Sequence, residues 1–359
     1  MSESAGILGI GTAVPAYSSS QELALDLALQ KLEPDRRQER LLRMLFQRSG
    51  IKKRHGVLPP EMYWWSRVTD ESGQPHIPST GERMQQYAEH APGLAQTAAE
   101  RALENAQVDI GSITHLVTVS CTGFNAPGVD VELIRRLGLP PTTQRVHVGY
   151  MGCHGAINGL RVLHGLTAGQ QSARVLMCCV ELCTLHFQHE WHDERIIGDA
   201  LFADGSAALV ASPNAGGDDG WSIRDTASCL LPNSGEAMAW NIGDHGFEIK
   251  LTAAVAGFIE DNLGPWLDAW LDRCGLSRLE IGTWIIHPGG PKIVDAVVAA
   301  LDLPENASST SRDVLREYGN MSSPTVLFIL ERERQVNAKR PCVMMAFGPG
   351  LMVEAALLV

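Results

Sequence analysis

The chain has no excess of positive charge. Its 29 Lys and Arg stand against 41 Asp and Glu, a formal net charge of -12. A nucleic-acid binder normally carries a basic face, so nucleic acid is not expected as a partner. No apolar run approaches the ~20 residues that a membrane-spanning helix needs, and no membrane span is expected. The opening segment MSESAGILGIGTAVPAY has neither a basic start nor a long apolar stretch, and no signal peptide is read in it. Low-complexity tracts are missing as well. With 45% hydrophobic residues and 35 glycines, the composition is that of a folded globular protein. The eight cysteines, from Cys121 to Cys342, lack a framework spacing. That favours reduced thiols and a cytoplasmic location over disulfides.

What is present is alternation. A length of 359 residues suits two domains or one two-lobed domain. Ile7 to Ala13 reads as a strand. Ser19 and Glu22 have the spacing of a capping box before a helix, and a second helix is expected from near Pro92. His115 to Cys121 reads as a strand covered on both faces. Strands are also expected at 145–153 and 173–182, with a helix between them. The turn-rich SPNAGGDDG at 212–220 marks the best boundary, dividing the chain into halves 1–213 and 214–359. In the second half, helices are expected at about 252–272, at 291–301 and from Ser322, with strands at 283–287 and 341–347. This order argues for a layered α/β fold, and the shared strand–turn–helix style of the halves suggests duplication.

Three residues stand in glycine-bearing turns at element ends. Cys153 follows a strand and precedes a helix, in Gly-Cys-His-Gly. Helix N-termini favour anions, so a lowered thiol pKa is expected there. Taken alone, Cys153 is as readily one more small buried residue. His287 ends the strand GTWII before Pro-Gly-Gly. Asn320 lies in Tyr-Gly-Asn-Met-Ser-Ser, where an Asn is ordinarily a cap. Together, a Cys/His/Asn set can pair a thiolate with an imidazolium and offer an amide to a developing oxyanion.

The ordered series SCTGFNAPGVD, GYMGCHGA, ALFADGSAALV, WIIHPGGPKI, YGNMSSPTVLFIL and AFGPGLMVEAALL resembles the type III polyketide synthases. These are the chalcone-synthase-like branch of the thiolase-fold condensing enzymes. The resemblance runs from about Gly9 to the C-terminus. It implies a duplicated αβαβα thiolase fold, no cofactor, and a homodimer whose substrates are an acyl-CoA starter and malonyl-CoA. It implies that Cys153 carries the acyl chain as a thioester, kept ionised by His287. His287 and Asn320 would hold the malonyl thioester carbonyl through decarboxylation, before a Claisen condensation. Repeated rounds and cyclisation would follow.

The same resemblance makes Phe202 a gatekeeper between a CoA tunnel and an acyl cavity. Gly348, Pro349, Gly350 and Ser322 would shape that cavity. Cys121, Cys183, His186, Trp240 and Ile249 stand where plant relatives carry other residues, and less aromatic wall is expected from them. Arg48 matches one family CoA-phosphate position, while Leu41 and Met44 fall on the others. Arg43 or Lys52 are the expected substitutes. Ala126 stands where the family has a methionine crossing the dimer interface.

Rival readings are a carrier-protein-dependent condensing enzyme of fatty-acid type, a non-catalytic thiolase-fold binding protein, and a papain-like hydrolase. No metal site is expected: Cys178 and Cys179, adjacent on a strand, point to opposite faces. The spaced His186, His189 and His192 match no known ligand motif.

Overall fold

Strand β1 (Ala5–Ala13) runs through the middle of the molecule in a computed structural model that describes residues 4–65, 68–69, 75–188, 190–213, 215 and 220–359. Next come β2 (Tyr17–Ser20), α1 (Gln21–Leu32), α2 (Arg36–Arg48) and β3 (Lys53–Gly56), which pairs with β2. The α1 cap is Ser20, whose hydroxyl accepts from Leu23 N–H. Ser19, the expected cap, lies in β2 against Arg54. A two-residue pair, β4 (Val68–Thr69) and β5 (Pro75–His76), leads to α3 (Thr80–Ala106).

Helix α3 starts earlier than its sequence suggests. Ser79 and Glu82 form a reciprocal capping box, and Pro92 sits inside the helix instead of at its start. Its buried stripe of Ala95, Ala98, Ala99 and Ala102 lies directly on β1. A β-carbon added at Gly9 or Gly11 would stand 2.4 Å from the α3 backbone. Glycines on the strand and alanines on the helix are therefore one packing solution.

The remaining elements are β6 (His115–Ser120), α4 (Val129–Leu137), β7 (Gln144–Gly149), α5 (Gly155–Gly169), β8 (Val175–Leu182), α6 (Ile196–Leu201), β9 (Asp204–Pro213), β10 (Trp221–Leu230), β11 (Met238–Gly243), β12 (Gly246–Leu251), α7 (Val255–Arg273), β13 (Thr283–Ile286), α8 (Pro291–Ala300), α9 (Ser309–Tyr318), α10 (Thr325–Gln335), β14 (Cys342–Gly348) and β15 (Met352–Leu358). The main sheet has nine strands in the order β13-β14-β15-β10-β1-β9-β8-β6-β7. Outward from β1 the pairings run antiparallel, antiparallel, parallel, parallel. Outward from β10 they run antiparallel, antiparallel, parallel.

The core divides by layer. One cluster joins α3 and α4 to one face of the β1-side strands. A second is built from α5 and α10, lying between the two half-sheets. A third joins α7 and α8 to the far face of the β10-side strands. This is the α/β layering expected, helix–sheet–helix–sheet–helix. Alternate residues of β14 enter different clusters, Met344 one and Met345 the other, so the strand reads as an unbroken apolar run. Cys178 and Cys179 likewise enter different clusters. Most of the 212–220 turn and His189 lie outside the described residues. No described helix is long and apolar enough to cross a membrane.

Candidate active site

The two helices of the central layer aim their N-termini at one place. Cys153 lies in the short turn before α5, and Asn320 and Ser322 lie just before α10. The turn at Cys153 needs Gly152, which has φ +70°, and a β-carbon there would stand 2.7 Å from Pro349 Cδ. His287 follows β13, where its N–H donates to Met345 O at 2.9 Å.

Asn320 is fixed from both sides of its backbone. Its N–H donates to Leu201 O and its carbonyl accepts from Ala203 N–H, each at 2.9 Å, which sets it beside Phe202. Its side-chain Oδ1 accepts from Ser322 N–H at 2.8 Å, and its Nδ2 reaches Gly289 O at 3.5 Å. A β-carbon at Gly289 would lie 3.9 Å from His287 Nε2, so His287 and Asn320 converge on the same glycine. Asn320 and Ser322 also hydrogen-bond the Cys153 thiol. The structure thus assembles the three residues read from the sequence.

Their ionisation differs from the expectation. Burial pushes the Cys153 thiol up to about 11, with the Glu181 charge adding to it. Hydrogen bonds from Ser322 and Asn320 work the other way without winning. Burial, with His154 nearby, pushes His287 down to about 3. Desolvation of the ligand-free site thus opposes charge on both groups, against the pull of the helix N-terminus on the thiol. Neither ring nitrogen of His287 has a hydrogen-bond partner among the described residues, although the side chain is 1% exposed. A buried ring with both nitrogens open can take a proton or donate one to a bound molecule.

Around Cys153 lies an inner cavity of about 30 Å³, lined by Cys121, Cys183, Phe202, Trp240, Ile249, Ser322 and Pro349 with their neighbours. Trp240 and Ile249 face each other across the β11–β12 hairpin, and Trp240 Nε1 donates to Cys121 O at 2.9 Å. Trp240 stands 6.5 Å from Phe202, centroid to centroid. The expectation of less aromatic wall is therefore corrected: the hairpin carries an indole into the cavity.

His186 stands behind that lining, on a small adjoining cavity that it shares with Cys183, Phe202, Trp240 and Ile249. Its Nε2 bonds Thr122 O at 2.7 Å, its Nδ1 accepts from Phe247 N–H at 2.9 Å, and it stacks on Phe247. Both nitrogens are committed to backbone, so it is a structural residue. Gly348 and Gly350 shape the wall from behind. Gly348 lies against the His154 ring, and Gly350 N–H bonds Met238 O at 3.4 Å.

The sequence reading missed Glu181. It is fully buried on β8 and accepts from Cys121 N–H, Thr122 N–H and Oγ1, and Ser323 Oγ. Burial nonetheless raises its pKa. Its signal was present: one acidic residue in the otherwise uncharged VLMCCVEL.

An outer cavity of about 350 Å³ adjoins this centre through Leu201, Gly289 and Gly290. Its walls are Met44, Leu45 and Arg48 of α2, the Leu251–Ala256 turn, and Pro291 to Ile293 at the start of α8. Arg48 lies on it as expected. Arg43 does not, being paired with Glu39 at 2.8 Å, and Lys52 is not on its wall.

Known proteins share this arrangement. The family model for the N-terminal domain of chalcone and stilbene synthases matches residues 2–214, and that for their C-terminal domain matches 222–359. The chain is 32% identical to 3,5-dihydroxyphenylacetyl-CoA synthase of Amycolatopsis balhimycina, over 98% of this chain and 91% of the relative. It is 34% identical to 1,3,6,8-tetrahydroxynaphthalene synthase of Streptomyces peucetius subsp. caesius, over 98% and 92%. The crystal structure of PKS-I from the brown alga Ectocarpus siliculosus superposes with a TM-score of 0.92 at 28% identity, covering 100% of this chain and 98% of that one. The fold is the thiolase fold expected, and the fatty-acid-type and non-catalytic readings are not favoured. The chain belongs to the chalcone and stilbene synthase family and is a chalcone-synthase-like type III polyketide synthase, a condensing acyltransferase.

Proposed function

We propose that the protein extends a small acyl starter with malonyl units, both delivered as CoA thioesters, and cyclises the product. The observation that carries the starter size is the inner cavity of about 30 Å³ around Cys153, narrowed by Trp240 and Phe202. An acetyl- or malonyl-sized group suits such a space, and a long acyl chain does not.

The chemistry starts from a neutral pair. As Cys153 Sγ attacks the starter thioester, its proton passes to an open nitrogen of His287. That proton then leaves with the CoA thiolate. The imidazole is again neutral. With its Nε2 protonated, it joins Asn320 Nδ2 in donating to the malonyl thioester carbonyl. These donors stabilise the enolate formed as carbon dioxide departs. The enolate carbon attacks the Cys153 thioester; a carbon–carbon bond forms and the C–S bond to Cys153 breaks. Cys153 departs as a thiolate; the extended chain stays on CoA, and that thiolate reloads from it as CoA leaves as its own thiolate. Every step uses side chains and thioesters, with no resident cofactor.

A homodimer is part of the proposal. β7 is an edge strand whose Val146 is exposed, and Phe124, Tyr150 and Met151 beside it are exposed too. A second copy on that face would cover them. Incubation with malonyl-CoA alone, and with acetyl-, hexanoyl- or aromatic acyl-CoA, tests the function. Products built on the small starters are expected by mass. Extension only from a malonyl carrier protein would overturn the reading.

A further inference from the structure

Helix α5 carries a polar stripe through a layer that is otherwise apolar. Ala156, Ile157, Leu160 and Leu163 fill the central core, while His154, Asn158 and Arg161 recur at helical spacing on another face. Glu354 of β15 is buried opposite them. It accepts from Asn158 Nδ2 at 3.2 Å, from Arg161 Nη2 at 2.5 Å and from Ser228 Oγ of β10 at 2.7 Å. Arg161 Nε donates to Thr226 Oγ1, also of β10, at 3.1 Å. A carboxylate only accepts, so Asn158 turns its NH2 to Glu354 and its Oδ1 to His154, 2.7 Å from Nδ1. That oxygen needs a donor, which puts a proton on His154 Nδ1. Burial disfavours a second proton on the ring.

The stripe ends beside the nucleophile. His154 follows Cys153, and its ring is pressed on Gly348: a β-carbon there would stand 2.3 Å from His154 Cδ2. Pro349 packs on Gly152 in the same way. The Cys153 turn is therefore gripped from two sides, by the Gly348–Pro349 loop and by a hydrogen-bonded chain to β10 and β15. Apolar side chains would fill the same layer without desolvating polar groups. They would not supply direction, because packing tolerates rotations that a chain of hydrogen bonds does not.

We propose that His154 is a positioning residue for Cys153, held by Asn158 and Glu354 so that the thiol is presented to the starter thioester. It touches none of the reacting atoms. The inference rests on the proposed acyl-carrying role of Cys153. It separates two functions of one centre: loading of Cys153 needs the chain, and decarboxylation at His287 and Asn320 does not.

The test reads the two functions apart. His154→Phe keeps ring volume against Gly348 and breaks the chain. Acylation of Cys153 by acetyl-CoA, followed by intact-protein mass, should slow about ten- to a hundredfold, the weight of a small misplacement. Carbon dioxide release from malonyl-CoA should stay within about twofold, because its oxyanion donors are untouched. His154→Gln, which can donate to the same Asn158 oxygen, should restore most of the acylation rate. Asn158→Ala should slow acylation as His154→Phe does, and the double variant should be no slower than either. Equal losses of acylation and of carbon dioxide release, or additive losses in the double variant, overturn the proposal. If His154→Phe does not fold, Asn158→Ala decides: slowed acylation upholds the chain and unchanged acylation refutes it. If the parent is not acylated at all, the role of Cys153 fails, and spectra of isotope-labelled histidine in the parent still test the chain. A His154 ring protonated at Nδ1 at neutral pH upholds it, and one protonated at Nε2 alone refutes it.

Discussion

The two cavities on either side of Leu201 and Phe202, the first lining the outer and the second the inner, are made of opposite materials. The outer one, about 350 Å³, has mostly apolar walls from α2, α7 and α8, with the cations Arg48 and Lys292 among its lining residues. The inner one, about 30 Å³, is far smaller and carries two further thiols beside Cys153. A buried carboxylate behind it is saturated with donors. The outer cavity can recognise a long, partly charged molecule through a few contacts. The inner one has room for a water or two, and burial sets its chemistry: desolvation moves Cys153 up and His287 down. An unpaired buried polar atom costs about 1–3 kcal/mol. That His287 carries two open nitrogens fits a ring kept for the substrate.

The comparison breaks most completely at Cys153. Cys153→Ala should lower condensation by at least about 10³-fold, read as product mass per time, because no other group replaces the covalent step. Binding of CoA to the outer cavity should be unchanged. Asn320→Ala removes one donor from the junction between the cavities. Malonyl-CoA decarboxylation, followed as released carbon dioxide, should fall about 10²- to 10³-fold. Trp240→Ala should blur the size difference itself. It removes the indole that bonds Cys121 O, and should shift kcat/KM toward hexanoyl-CoA over acetyl-CoA by about tenfold, within the range that pocket-sized methylene contacts supply. A stability loss of about 2–3 kcal/mol is expected, measured by urea unfolding, since the indole is only half-buried.

Legibility followed the same division. The strands that fill both faces of the sheet, such as Cys342–Gly348, announce themselves as unbroken apolar runs. Cys153, His287 and Asn320 stand in glycine turns at element ends, so their convergence could be read from motif order. Pro92 misled, because a proline is an ordinary helix start, whereas the Ser79–Glu82 capping box began the helix a full three turns earlier. The β11–β12 hairpin, whose Trp240 narrows the inner cavity, went unread although Phe247 to Leu251 alternate apolar and polar residues. His186 looked like a cavity residue, and only the fold shows that Thr122 O and Phe247 N–H already hold its two nitrogens. The burial that opposes ionisation of Cys153 went unread for a related reason. A helix N-terminus is visible in a sequence, and the depth of burial that opposes it is not.

The smallest expected effect tests that last point. Glu181 lies behind Cys121 and Thr122, and its charge disfavours the Cys153 thiolate. With the thiol at about 11 in the resting site, alkylation by iodoacetamide should rise steadily from pH 7 to pH 10 without a neutral plateau. A preformed thiolate–imidazolium pair would instead give a plateau reaching well below pH 7. Glu181→Gln keeps the shape and one of the two acceptor oxygens while removing the negative charge. Loss of a nearby anion favours the thiolate, so the alkylation profile should move to lower pH, by about one unit. A profile that stays in place would mean that burial alone governs the nucleophile. In that case the contrast between the cavities is one of burial, with the buried carboxylate serving only to hold Cys121 and Thr122 in position.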